Sequence, residues 1–210
     1  MERKVKELYK LAFQLSLFTI FYNLIEGFVS MMLGYKDKTL TLFGFGVDSF
    51  IEVLSGVGIY IMLLRIKQNP EGPKSSFEIK ALETTGLAFY LLSAGLGIGI
   101  ISNILNHHKP ETTFWGIIIS IVSIVVMVWL MIVKKKTGQK LNSDPIIADA
   151  NCTKVCVYMS IVLLLSSLIY ESTGFAYADL LGAGGLIYFS ITEGKEAFEK
   201  AKGKEDNCCS

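Results

Sequence analysis

Six blocks of apolar residues, separated by short polar connections, make up most of the chain. They run over Leu11–Leu33, Leu40–Leu64, Ala81–Leu105, Phe114–Val133, Ile146–Tyr170 and Phe175–Thr192. A helix that crosses a hydrocarbon core of about 30 Å needs about 20 apolar residues. All blocks but the last reach that length, and the last is short by a margin that bilayer thinning tolerates. A membrane barrel is excluded, because its strands would read as alternating segments of about ten residues. The pattern predicts an all-α membrane protein, a bundle of six transmembrane helices.

Composition supports this. Of 210 residues, 51% are hydrophobic and only 19% are charged, and the charges fall between the apolar blocks. A net charge of +1 gives no reason to expect a nucleic-acid partner. The distribution of Lys and Arg is more informative. Arg3, Lys4, Lys6 and Lys10 precede the first block; Arg65, Lys67, Lys74 and Lys80 follow the second; Lys134, Lys135, Lys136 and Lys140 follow the fourth; Lys195, Lys200, Lys202 and Lys204 end the chain. The other connections hold only Lys36, Lys38 and Lys109. Sixteen against three puts both termini in the cytoplasm by the positive-inside rule. The opening MERKVKELYK is charged and amphipathic, and no cleavable signal peptide is expected. The organisation expected is a transporter-like membrane domain over residues 1–194 and a short charged cytoplasmic tail over 195–210. The expected location is the plasma (inner) membrane of a bacterium or archaeon.

Polar residues inside the blocks carry the chemistry. Asp48 and Glu52 lie four apart in Gly46-Val47-Asp48-Ser49-Phe50-Ile51-Glu52, so a helix stacks them on one face. Carboxylates at membrane depth are costly and two of them repel, so protons, a cation or a partner side chain must compensate. The pair reads as a cation or proton site. Span one adds Asn23 and Glu26 on one face, with Glu26 either on a proton path or in an inter-helix hydrogen bond. In span five, Asp149, Cys152 and Cys156 share a stripe. The cysteines have poor geometry for disulfides and are either ligands or small apolar fillers. Two acids facing an acid and thiols offer the tetrahedral O/S set that zinc and its neighbours prefer. Lys154 is expected to snorkel or to pair with an acid such as Glu83. His107 and His108 read as a solvated pair in an outer loop, Asp179 as the cap of span six, and Cys208 and Cys209 as a disordered end. Gly95 and Gly99, and Gly182-Ala183-Gly184-Gly185, permit close helix packing, within one protomer or at a dimer seam.

With these motifs the chain resembles the cation diffusion facilitator (CDF) family of zinc and divalent-metal exporters. That family has six spans with both termini inside, an acidic or His/acid pair four apart on span two, and a His-x-x-x-Asp-type motif on span five. Here Glu52 stands where Asp is more usual. Ala148-Asp149-Ala150-Asn151-Cys152-Thr153 resembles the Ala-Asp-Ala-x-His-Thr run, and Tyr177-Ala178-Asp179-Leu180 is similar to the Tyr-x-Asp-Pro start of span six. Cys152 and Cys156 take the places of His and Asp, a softer ligand set. Too few residues follow span six for the family's cytoplasmic domain, so the resemblance is to a short branch. It implies a CDF-like transmembrane domain with Asp48, Glu52, Asp149, Cys152, Cys156 and Glu26 as candidate metal residues. It also implies Zn2+, or Cd2+, Co2+, Mn2+ or Fe2+, as transported substrate, protons as counter-ion, a homodimer in the bilayer, no prosthetic group and no enzymatic activity. The alternatives are a metal-binding or sensor subunit that does not translocate, and a transporter of a non-metal cation.

Overall fold

The computed structural model describes residues 2–68, 76–106, 109–175 and 177–203. These form six helices: α1 (Glu2–Lys36), α2 (Leu40–Gln68), α3 (Ser76–Leu105), α4 (Phe114–Leu141), α5 (Asp144–Thr173) and α6 (Ala178–Ala201). No strand occurs among the described residues. The turn-rich 69–73, the His107–His108 pair and the Cys208–Cys209 end lie outside them.

Each apolar block became a helix, but several helices overrun their blocks at the basic ends. α1 starts at Glu2, ahead of Leu11; α4 continues past Val133 to Leu141; α6 continues past Thr192 to Ala201. Once the apolar run has nucleated and paid for a helix, charged residues of good propensity extend it into the headgroup region. Helices α1 to α5 are long and apolar enough to cross a membrane. α6 has 24 residues, a length of about 36 Å at 1.5 Å per residue. Glu193, Lys195, Glu196, Glu199 and Lys200 make its last turns polar.

The helices associate most closely as α1 with α2, α4 with α5, and α3 with α6, and α2 also touches α3, α5 and α6. A central core joins Leu42, Phe45 and Ile51 of α2 to Phe89, Leu92 and Leu96 of α3, Met159 and Leu163 of α5, and Leu186 of α6. Phe21, Ile25, Phe28, Leu91, Ile98, Val125 and Leu165 face outward. Lipid tails solvate such side chains as well as a protein core does, so the outward face is no liability.

Glycine sets the α1–α2 spacing. A Cβ on Gly46 would lie 2.6 Å from the backbone nitrogen of Met31, and one on Gly34 only 2.4 Å from that of Phe43. The two backbones touch, and no larger residue fits. Of the glycines expected to pack, Gly99 meets Leu40, Gly182 meets Ser166 and Thr41, and Gly185 meets Val162, all within the bundle. Gly95 and Gly184 have open space beside them.

At the end of the bundle formed by the α1–α2, α3–α4 and α5–α6 connections, two acids cap helices other than their own. Asp179 does not cap α6. Its carboxylate accepts the backbone N–H groups of Leu40 (2.8 Å) and Thr41 (3.0 Å) at the start of α2. Glu171 of α5 accepts the backbone N–H of Thr113, at the start of α4, at 2.5 Å and the Thr112 hydroxyl at 2.7 Å. A carboxylate at a helix N-terminus satisfies orphan N–H groups and complements the dipole. Asp179 suits α2 because it lies over the start of that helix, where Leu40 and Thr41 present their N–H groups. Replacing the buried Asp179 with Ala strands those donors, at an expected cost of about 1–3 kcal/mol. A lowered unfolding midpoint in detergent checks this; an unchanged one refutes the cap. Lys38 and Glu111 pair at 2.6 Å across the α1–α2 and α3–α4 connections, holding the exposed Glu111 carboxyl below the usual carboxylate range.

Candidate cation site

The acids of α2 sit where four helices meet. Asp48 is 2% exposed, and Glu52 follows one turn later on the same face. Across from them α5 presents Cys156, whose Sγ donates a hydrogen bond to Glu52 Oε1. From α1, Asn23 Nδ2 donates to Glu52 Oε2 at 2.8 Å. Both oxygens of Glu52 are therefore held, by a thiol and by an amide on different helices. Asp48 is held less completely: its Oδ1 is buried with no hydrogen-bond partner. Its electrostatic neighbours are Glu52, Glu193 and Glu26.

Glu26 lies beside this group. Tyr22 donates its hydroxyl to Glu26 Oε1 at 2.7 Å, and Ser49 donates to Oε2 at 3.3 Å. Glu26 is 7% exposed and tied to hydroxyls of α1 and α2, so an inter-helix hydrogen bond, one of the two roles expected of it, is present. Ser49 stands between Asp48 and Glu52 in sequence and connects the two acid groups across the α1–α2 contact.

The span-five stripe divides. Only Cys156 reaches the α2 acids. Asp149 is paired with Lys134 of α4, Nζ to Oδ2 3.0 Å, and Lys134 also donates to Thr153 Oγ1 at 3.1 Å. Cys152 Sγ lies 3.4 Å from Lys200 Nζ of α6, which in turn holds Glu196 at 2.5 Å. The expected convergence of Asp149 and Cys152 on Asp48 and Glu52 is thus not the arrangement found. The reason is the partner at each level of the helix: Lys134 of α4 holds Asp149 and Lys200 of α6 lies against Cys152, so both side chains are directed away from the α2 acids. Among the described residues, no group of three or more His, Cys, Asp and Glu side chains is drawn together tightly enough to enclose a metal. The contact across α2 and α5 is between Glu52 and Cys156, with Asp48 one turn from Glu52 on the same face of α2.

Lys154 Nζ lies 5.7 Å from the centre of the Tyr158 ring, and Glu83 is exposed on α3. The lysine that does enter the bundle is Lys134, which the sequence reading placed among the cytoplasmic charges. Its position had a signal. Ser120, Ser123, Met127, Leu130, Lys134 and Thr137 form one buried stripe of α4 at helical spacing, so Lys134 continues an inward face. Glu193, on the polar end of α6, is the other residue missed: it is an electrostatic neighbour of Asp48, Glu52, Cys152 and Cys156.

An intramembrane pair of acids facing a thiol, inside a six-helix bundle, is a place for a cation. Residues 16–201 match the cation efflux transmembrane domain. The chain belongs to the cation efflux family. A relative in Methanocaldococcus jannaschii, described as an uncharacterized transporter, is 26% identical over 182 residues, covering 84% of this chain. The chain spans 62% of that relative's length. This cation efflux protein is therefore a multi-pass integral membrane protein.

Proposed function

We propose that this protein moves a divalent metal ion, Zn2+ first among the candidates, out of the cytoplasm in exchange for protons. One observation carries the reading: Cys156 of α5 bonds Glu52 of α2 within the bundle, one turn from the buried Asp48, whose Oδ1 has no partner. Carboxylates and a thiol are metal ligands only when deprotonated, so metal and protons compete for the same atoms. Metal arriving from the cytoplasm displaces the Cys156 proton that now bonds Glu52. Protons from outside reverse the exchange and release the metal. Alternating access then requires helix groups to rock about this site. Oxygen and sulfur together suit Zn2+, Co2+ and Cd2+, and the sulfur disfavours Mn2+.

The test is metal uptake into proteoliposomes under an imposed pH gradient, screening Zn2+, Cd2+, Co2+, Mn2+ and Fe2+, with the Asp48→Ala plus Glu52→Ala variant as control. Gradient-driven flux that the variant loses is the expected result. Equal flux in the variant would place transport elsewhere, and binding without flux would make the protein a membrane metal-binding or sensor subunit.

A further inference from the structure

Asn23 is fully buried in α1. Its amide is half used: Nδ2 donates to Glu52 Oε2 at 2.8 Å, while Oδ1 is buried with no hydrogen-bond partner. Turning the amide over does not help, because Oδ1 would then oppose a carboxylate oxygen, acceptor against acceptor. A buried carbonyl oxygen without a donor costs free energy, and such groups in folded proteins ordinarily find one. Asp48 Oδ1 is in the same condition. Both belong to side chains at most 2% exposed, and neither oxygen has a protein donor. Asn23 stands beside Glu52 through its own hydrogen bond, and Asp48 lies one turn from Glu52 on α2. A cation bound at Glu52 supplies the acceptor oxygen of Asn23 with a partner.

The α1–α2 contact brings Asn23 to this point. Backbone contact at Gly46–Met31 and Gly34–Phe43 leaves α1 no freedom to withdraw. Asn23 sits one turn from Glu26, which is already occupied by Tyr22 and Ser49. The two polar residues of α1 thus have different duties.

We propose that Asn23 is a member of the cation site: its Nδ2 positions Glu52, and its Oδ1 is an oxygen ligand to the transported divalent cation. The site is then built by α1, α2 and α5, with the neutral oxygen of Asn23 balancing the sulfur of Cys156. This inference rests on the cation-transport reading. A carbonyl oxygen matters most to oxygen-preferring ions and least to thiophilic ones, which separates a ligand from a residue that only props Glu52.

The experiment measures binding of Mn2+ and of Cd2+ to the purified full chain, in wild type and in Asn23→Leu. The expected result is roughly tenfold or more weakening for Mn2+ and less than about threefold for Cd2+. Equal weakening for both metals would show that Asn23 acts only through Glu52, and no weakening would show that it does not act; either overturns the proposal. Asn23→Ser keeps a small polar residue whose oxygen cannot reach the site, and the same selectivity shift is expected of it if the leucine variant fails to fold. X-ray absorption of Zn2+ bound to Asn23→Ser should show one oxygen neighbour fewer with the sulfur neighbour retained; an unchanged shell overturns the assignment. A wild-type chain that binds neither metal would overturn the cation reading itself along with this one, an outcome distinct from equal binding by wild type and variant.

Discussion

Replacing Lys134 with Met is expected to destabilise the bundle by about 3–5 kcal/mol, the typical cost of breaking a buried ion pair by removing one partner. Lys134 is 2% exposed and Asp149 16%, so little water reaches the carboxylate that the substitution strands. The loss includes the hydrogen bond from Nζ to Thr153, whose own hydroxyl donates to the Asp149 carbonyl at 3.0 Å and so ties the ammonium to the α5 backbone. Asp149→Leu alone is expected to hurt as well, by leaving the ammonium buried beside an apolar side chain. The double variant Lys134→Met with Asp149→Leu should recover most of the stability, because apolar pairs of similar volume replace buried ion pairs at little net cost. Unfolding midpoints of the four proteins in detergent give the coupling directly. Additive losses would mean that the two charges do not depend on each other. The pair also has a functional consequence. Lys134 gives Asp149 a positive partner, and the double variant is expected to keep the metal preference of the wild type. A changed preference would return Asp149 to the ligand set.

Continuous apolar runs made the six helices legible, since span length and backbone self-satisfaction leave a membrane chain few options. The acids of α2 were legible for the same reason: a charge is conspicuous in an apolar run. What pairs with what was harder to read. Asp149, Cys152 and Cys156 share one face, but a face does not give the distance between helices or the partner at each level. Lys134 was read as a loop charge because the apolar run stops at Val133, while the helix and its buried stripe continue to Thr137 and Gly138. Asp179 was read as a cap of its own helix because capping is usually local. Here the closest orphan N–H groups belong to α2, remote in sequence and adjacent in space. The glycines that fix the bundle were also not those in the most visible motifs. Gly34 and Gly46 are spaced by no recognisable pattern, and only the α1–α2 contact shows why they are glycine.

Cys156 is where the choice of metal should be most sensitive. It is the only one of the span-five candidates that touches an α2 acid, through the hydrogen bond from Sγ to Glu52. Thiolate binds soft ions far better than hard ones, and carboxylate has the opposite preference. Cys156→Asp should therefore retain pH-gradient-driven flux while turning preference away from Cd2+ towards Co2+ and Mn2+. Cys156→Ala removes a donor outright and should weaken Cd2+ by more than the roughly ten- to hundredfold that loss of an outer-shell partner costs, with Mn2+ little affected. Cys152→Ser is the contrast. Its thiol faces Lys200 of α6, a turn nearer the basic end, and its loss should leave metal preference at the α2 acids unchanged. Uptake of each metal by the three variants in proteoliposomes decides the matter. If Cys152→Ser shifts preference as strongly as Cys156→Ala, the two thiols act on the same ion, and α5 must turn during transport to bring Cys152 from Lys200 to Glu52.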